Sequence, residues 1–321
     1  MEHATTGRPG DEALPTLDVL VEAADAGLHP WVHEHVSESV RRSALAEELA
    51  FWLETAAQDP AYAASFAEVA PYSGEPPAAY LDRWLPIAGG AHVLVGPRYL
   101  GRDPDLPFVG VSGSDRPLTA RDAEPLTSLA RERFAPFAPG FVLLTTAEPI
   151  GAWPGTRPEQ RQLVGLLADL RARPAPSELR AVPRADTSFY DRYRQLFDDD
   201  VARDPAHARH TRAESREDLE ELAGQGLVFD VEVDGAWAGI LAAEPDVRRG
   251  VRGATVVELV LDPAFRGRGY GKHLSTLLAR AVPLPDDQCL MGTIHADNVT
   301  SYRSALAAGR VDVGGEIVVP L

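Results

Sequence analysis

The chain has 321 residues, more than one typical domain needs and enough for two, and 45% of them are hydrophobic, so each half can bury a core. Acidic residues outnumber basic ones by 48 to 31, and the net charge of −17 works against nucleic acid and anionic membranes while favouring a cationic partner. One cysteine, Cys289, rules out an internal disulfide. With no signal-like N-terminus and no run of 18 apolar residues, the sequence reads as a cytoplasmic protein without a membrane span.

In chain order, residues 1–13 are polar and read as a flexible tail. Helices are expected over 14–26 and 37–57, the latter carrying Val40, Leu45, Leu49, Trp52 and Leu53 near helical spacing. Asp59-Pro60 breaks the pattern, and 71–77 is a loop by its Pro, Gly and Ser content. Strands are expected at 92–95, 107–111 and 140–145. Thr119 with Asp122 three residues on predicts a capped helix running to Phe134. Leu163, Leu166, Leu167 and Leu170 place a helix over 157–173, and Pro174-Ala175-Pro176-Ser177 is the expected linker. The domain reading is therefore an N-terminal α/β accessory domain at 14–177 and a second domain at 178–321.

The second half starts with a strand at 179–182. A helix follows with Tyr190, Tyr193, Leu196 and Phe197 on one side, then a polar, acid-rich stretch at 198–215 and a short helix at 216–223. Strands 227–233 and 237–243 flank Asp234-Gly235, a hairpin signal. A strand at 256–261, a helix at 271–282, a strand at 290–294 and a helix at 299–308 come next. Residues 310–313 and 317–319 read as a last hairpin around Gly314-Gly315. Such an order describes an α+β domain built on a mixed sheet with flanking helices.

Between the strand at 256–261 and the helix after it lies Arg266-Gly267-Arg268-Gly269-Tyr270-Gly271-Lys272. The first amides of a helix lack partners in the chain, and the helix dipole adds partial positive charge there. Glycines keep side chains away from those amides, and Arg266, Arg268 and Lys272 add fixed charge, so the loop suits a phosphate. A dinucleotide-binding loop does not fit, because Asp262 to Phe265 intervene after the strand. A Walker A loop does not fit either, because His273 follows Gly-Lys.

Arg266-x-x-Gly269-x-Gly271, preceded by Leu259-x-Leu261-x-Pro263 and followed by Asn298, Ser301 and Gly309, resembles the motifs of the GNAT superfamily of N-acyltransferases over about 178–321. The resemblance implies an acyl-CoA donor, acetyl-CoA first among them, and an amine of a small metabolite as acceptor. It implies a pyrophosphate on the amides of about 267–272, a pantetheine arm along Leu259, Val260 and Leu261 in a splay between strands 256–261 and 289–294, and contacts from Asn298 and Ser301. The family's general-acid tyrosine would fall on Ala305, and its aromatic after the helix glycine on Arg310. Tyr302, three residues before Ala305, either protonates the departing thiolate or packs.

For the base, Glu258 is the first candidate and His295 the second. The acceptor site would be built by about 190–222, whose acids include Asp198, Asp199, Asp200, Asp204 and Glu214. His207 and His210, and His33-Glu34-His35, lack a metal-ligand register, so no metal is expected. Residues 92–173 echo the second half without its glycine loop, which makes the first half a degenerate copy of the same fold or an unrelated domain. Two rival functions stay open. One is aminoacyl transfer from tRNA, using Arg157, Arg161, Arg171, Arg173, Arg248, Arg249 and Arg252 as a basic strip. The other is a silent acyl-CoA sensor.

Overall fold

The computed structural model describes residues 13–70, 74–205 and 213–321. The expected tail at 1–13 lies almost wholly outside the described residues, as do His207, His210 and the start of the 71–77 loop. The elements in order are α1 (Leu17–Ala26), α2 (Pro30–His35), α3 (Glu38–Ala50), α4 (Pro60–Ala67), β1 (Arg83–Pro86), β2 (His92–Tyr99), β3 (Pro107–Ser114), α5 (Ala123–Arg133), β4 (Phe141–Thr146), β5 (Arg157–Leu166), α6 (Leu167–Ala172) and β6 (Leu179–Pro183). The chain continues through α7 (Tyr190–Arg203), α8 (Arg216–Gly224), β7 (Val228–Val233), β8 (Ala236–Arg248), β9 (Val251–Leu261), α9 (Leu274–Ala281), β10 (Cys289–His295), α10 (Val299–Ala307) and β11 (Val311–Pro320). This is a mixed α+β architecture with flanking helices. None of the described helices is long and apolar enough to cross a membrane.

Two compact units divide the chain. The first holds residues 1–159, 247–250 and 314–321; the second holds 160–246 and 251–313. Residues 160–177 thus go with the second unit, upstream of the expected linker. In the first unit the strand order is β1-β2-β3-β4-β11, over a core that includes Tyr80, Val95, Leu126, Phe134 and Leu144. In the second the order is β5-β10-β9-β8-β7-β6, over a core that includes Tyr193, Leu219, Val231, Ile240, Leu278 and Leu290. Each sheet is completed by a strand from the other half of the sequence: β11 pairs antiparallel with β4, and β5 with β10.

Both units contain one parallel pair joined through a helix, β3–α5–β4 in the first and β9–α9–β10 in the second. In each the register runs for three rungs and then stops. Phe108, Val109 and Gly110 face Phe141, Val142 and Leu143; Gly253, Ala254 and Thr255 face Cys289, Leu290 and Met291.

Two sequence expectations are corrected. Residues 157–166 form strand β5, and only Leu167–Ala172 are helical. Leucine spacing suited a helix, but Gln160 to Leu166 pair residue by residue with β10, which satisfies the backbone of both strands. Pro158 sits at the strand's start, where a missing donor costs nothing. The expected hairpin at 310–319 is one strand, β11, which passes straight through Gly314-Gly315. Gly314 has φ +112, and a Cβ there would lie 2.3 Å from the Thr146 carbonyl oxygen, so the glycine permits a close strand approach and makes no turn. The capped helix start is as read: Thr119 and Asp122 form a reciprocal box ahead of α5.

Candidate active site

The glycine loop sits where β9 gives way to α9. The Asp262 amide donates to the Ala238 carbonyl on β8 (2.8 Å), and the Asp262 carboxylate accepts from the Ala264 amide (2.9 Å), which turns the chain out of the sheet. Gly267 (φ +75) and Gly269 (φ +82) adopt left-handed backbone, which other residues take only at a cost of about 1–2 kcal/mol. A Cβ on either would meet no atom within 4 Å, so the space in front of the loop is open. The amides of Gly267, Arg268, Gly269, Tyr270 and Gly271 make no hydrogen bond among the described residues. Gly271–His273 form a tight turn that leads into α9. Five exposed or half-exposed residues with unpaired amides therefore lie just ahead of α9, which is the arrangement an anion needs.

The charged side chains divide their work. Arg266 folds back, its Nε donating to the Leu261 carbonyl (2.8 Å) and its guanidinium pairing with Asp200 (2.9 Å), so it braces the strand end. Burial works against Asp200 ionising, but Arg266 and Arg203 hold its carboxyl below the usual range. Lys272 and Arg268 are exposed, with Arg268 lying over the Phe265 ring. The Tyr270 hydroxyl donates weakly to Glu178 (3.4 Å). Asn298 caps α10 by accepting from the Ser301 amide (3.2 Å). The start of α9 abuts α10 there, since a Cβ on Gly271 would lie 3.5 Å from Ser304 Oγ.

Beyond Thr255 and Met291, β9 and β10 no longer pair, so Val256–Leu261 and Gly292–His295 diverge in a V. Leu259 and Val260 are half-buried along its edge, with Leu261 buried behind them. Gly239 fixes the other side of β9: its Cβ would lie 1.9 Å from the Val260 carbonyl oxygen, so only glycine lets β8 come this close.

Glu258 lies on the diverging part of β9 and is only 6% exposed. The fully buried Tyr193 of α7 donates its hydroxyl proton to Glu258 Oε1 (2.5 Å), and the Tyr193 hydroxyl oxygen accepts from the Glu214 amide (2.7 Å). Burial pushes Glu258 up to about 8, a range suited to proton transfer near neutral pH. Burial also raises Tyr193 far above the phenol range and lifts Glu214. Of the acids expected at an acceptor site, Asp199 accepts from Gln195 and Asp198 from Arg194, both on the surface of α7.

Tyr302 and His295 are not brought together with Glu258 by any hydrogen bond. The Tyr302 hydroxyl donates to Asp312 (2.7 Å), which in turn pairs with the buried Arg161 (2.9 Å). Burial, then Asp312, pushes the Tyr302 phenol up to about 12. His295 closes β10, with Nδ1 accepting from the Asp297 amide (3.1 Å). Ala305, at the position of the family's tyrosine, is buried. Tyr193, Arg161 and Asp312 escaped the sequence reading in these roles. Tyr193 read as one more apolar-face aromatic, and only the oddity of an arginine inside an apolar strand could have singled out Arg161.

The corresponding place in the first unit is filled from within. The Asp122 carboxylate accepts from the Thr119 amide (2.7 Å) and from both terminal nitrogens of Arg116 (2.6 and 3.0 Å), so the helix start of that unit carries its own anion. The arginines of the supposed basic strip are also engaged: Arg157 with Glu159, Arg171 with Asp286, Arg161 with Asp312, and Arg249 with Glu316 and Thr145. No group of three or more metal-ligating side chains occurs among the described residues.

Residues 188–304 match the model of the acetyltransferase (GNAT) family. The second unit carries a GNAT acetyltransferase domain. Among solved structures, the whole chain is similar to a GNAT-family acetyltransferase from Colwellia psychrerythraea (10% identity, 96% of this chain and 97% of that one, TM-score 0.47). It is also similar to a GCN5-related N-acetyltransferase from Sphaerobacter thermophilus (15%, 83% and 95%, TM-score 0.44) and to a tandem GNAT protein from the clavulanic acid biosynthesis pathway (15%, 94% and 92%, TM-score 0.43). No curated protein matches the chain.

Proposed function

We propose that the second unit is an acyl-CoA-dependent N-acyltransferase acting on an amine of a small metabolite. One observation carries the reading: five unpaired main-chain donors around two left-handed glycines stand at the mouth of a splayed parallel strand pair. The donors suit the diphosphate of coenzyme A, with Lys272 and Arg268 adding charge, and Asn298 and Ser301 lie at the neighbouring helix start. Leu259, Val260 and Leu261 supply the strand edge for the pantetheine arm. Because Arg266 already occupies the Leu261 carbonyl, the arm pairs with the edge before that residue.

Glu258 acts as the base. The amine nitrogen attacks the thioester carbonyl carbon, the nitrogen's proton passes to Glu258 directly or through water, and the carbon–sulfur bond breaks. Tyr193 fixes the orientation of the accepting carboxylate. A thiol of ordinary acidity leaves well as thiolate, so a dedicated acid is dispensable; the Tyr302 hydroxyl keeps its proton in the hydrogen bond to Asp312, and His295 remains at the strand end. The first unit, with the same parallel pair and a self-filled helix start, is a degenerate copy that binds no diphosphate. The tRNA-dependent alternative loses ground because Arg157, Arg161, Arg171 and Arg249 are engaged within their units.

Calorimetry with coenzyme A tests the reading. Gly269→Glu places a carboxylate in the open space before the loop, and the expected outcome is loss of binding in a protein with unchanged circular dichroism. Undiminished binding would refute the assignment. Thiol release from acetyl-CoA with a panel of amines separates an enzyme from a silent sensor.

A further inference from the structure

Four arginines are buried among the described residues: Arg41, Arg98, Arg161 and Arg310. Three of them pair with a carboxylate, Arg41 with Asp25 (2.9 Å), Arg98 with Asp82 (2.6 Å) and Arg161 with Asp312 (2.9 Å). Arg310 does not. It is 3% exposed, and its hydrogen bonds all go to neutral carbonyls: Nε and Nη2 to Leu163 (3.2 and 2.7 Å) and Nη2 to Gly292 (3.3 Å). Its Nη1 makes no hydrogen bond among the described residues. A cation removed from water without a counter-ion is costly, so a buried guanidinium in this state calls for an anion the chain does not itself supply.

The place of that guanidinium in the fold says where such an anion would come from. The last rung between β9 and β10 is Thr255–Met291. The next residues, Val256 and Gly292, open the V, and a Cβ on Gly292 would lie 2.9 Å from Arg310 Nη2 and 3.2 Å from the Val256 Cβ. The guanidinium therefore covers the closed end of the V. An arm entering beside Leu261 and running along the edge of β9 to Val256 covers about 16 Å, at roughly 3.3 Å per residue. Whatever group lies at the tip of that arm faces Arg310. A methyl group there would leave the cation without a partner; a carboxylate would give it a charge-assisted hydrogen bond from Nη1, the one nitrogen that the carbonyls leave over.

We propose that the acyl group carried by the donor ends in a carboxylate and that Arg310 is the residue that selects it. The inference rests on the second unit being the acyl-CoA site described above. The transfer itself is unchanged: the dicarboxylic acyl group moves from sulfur to the amine nitrogen, one proton leaves the nitrogen and one joins the thiolate, and the distal carboxylate stays intact against Arg310.

Calorimetry on the full chain with coenzyme A, acetyl-CoA, malonyl-CoA and succinyl-CoA tests this. The wild-type protein is expected to bind at least one of the two carboxylated donors ten or more times more tightly than acetyl-CoA. In Arg310→Gln that ratio falls towards one, and in Arg310→Lys, which keeps the charge, part of it returns. Equal wild-type affinity for acetyl-CoA and both carboxylated donors overturns the proposal without any variant, as does a ratio that survives in Arg310→Gln. If coenzyme A itself does not bind, the donor site fails and this inference with it; if coenzyme A binds and no carboxylate preference exists, only this inference fails.

Discussion

Replacing Glu258 by glutamine separates its cost to folding from its use in catalysis. Glu258 titrates at 4.5 in an unfolded chain and at about 8 in the folded one, because burial disfavours its charge. Below both values each state holds the proton and nothing is lost. Between them the unfolded chain releases the proton while the folded one keeps it, so stability falls as pH rises, and above about 8 the full cost is present. At about 1.4 kcal/mol per pH unit, that cost grows from roughly 1 kcal/mol at pH 5 through roughly 3 at pH 7 to roughly 5 at pH 9. Glu258→Gln removes the ionisation and keeps an oxygen to accept from Tyr193, so urea unfolding at the three pH values is expected to show a variant whose advantage over wild type widens by these amounts. Its kcat falls by about a hundredfold or more, the range for losing a positioned base. In the wild type kcat/KM rises with pH and levels off above about 8. An advantage that is flat with pH, or a variant that becomes less stable as pH rises, would refute the burial argument; an unchanged kcat would remove Glu258 from the reaction.

Two further outcomes follow from groups whose protons are held elsewhere. Tyr302→Phe is expected to lower kcat less than tenfold, because the hydroxyl is committed to Asp312; a loss of a hundredfold in steady-state assays would restore it as the acid. Cys289 is 1% exposed and pushed up to about 12 by burial, so a colorimetric thiol reagent at pH 8 should find no thiol in the folded protein and one in urea; rapid reaction of the folded protein would contradict its burial in β10.

What could be read from the sequence was what depends on neighbours in the chain. The glycine loop between β9 and α9 and the Thr119–Asp122 cap are local arrangements, and both stand as read. Residues 157–166 failed because leucines at 163, 166 and 167 satisfy a helical period, while the partner that makes this segment a strand is β10, more than a hundred residues away. The Gly314-Gly315 pair carries a turn signal, and only the approach of Thr146 shows that it relieves a strand contact. The same limit hid the roles of Tyr193, Arg161 and Arg310. Their partners, Glu258, Asp312 and the carbonyls of Leu163 and Gly292, are placed by the sheet, and no spacing in the chain announces them.

Everything proposed for the second unit requires the main-chain donors at 267–271 to hold the diphosphate of coenzyme A. Amide chemical shifts followed by NMR during titration with coenzyme A test it most directly. The amides of Gly267, Arg268, Gly269, Tyr270 and Gly271 are expected to move most, while Arg116 to Asp122 in the first unit stay still. Shifts centred on that second segment, with a silent loop at 267–271, would contradict it.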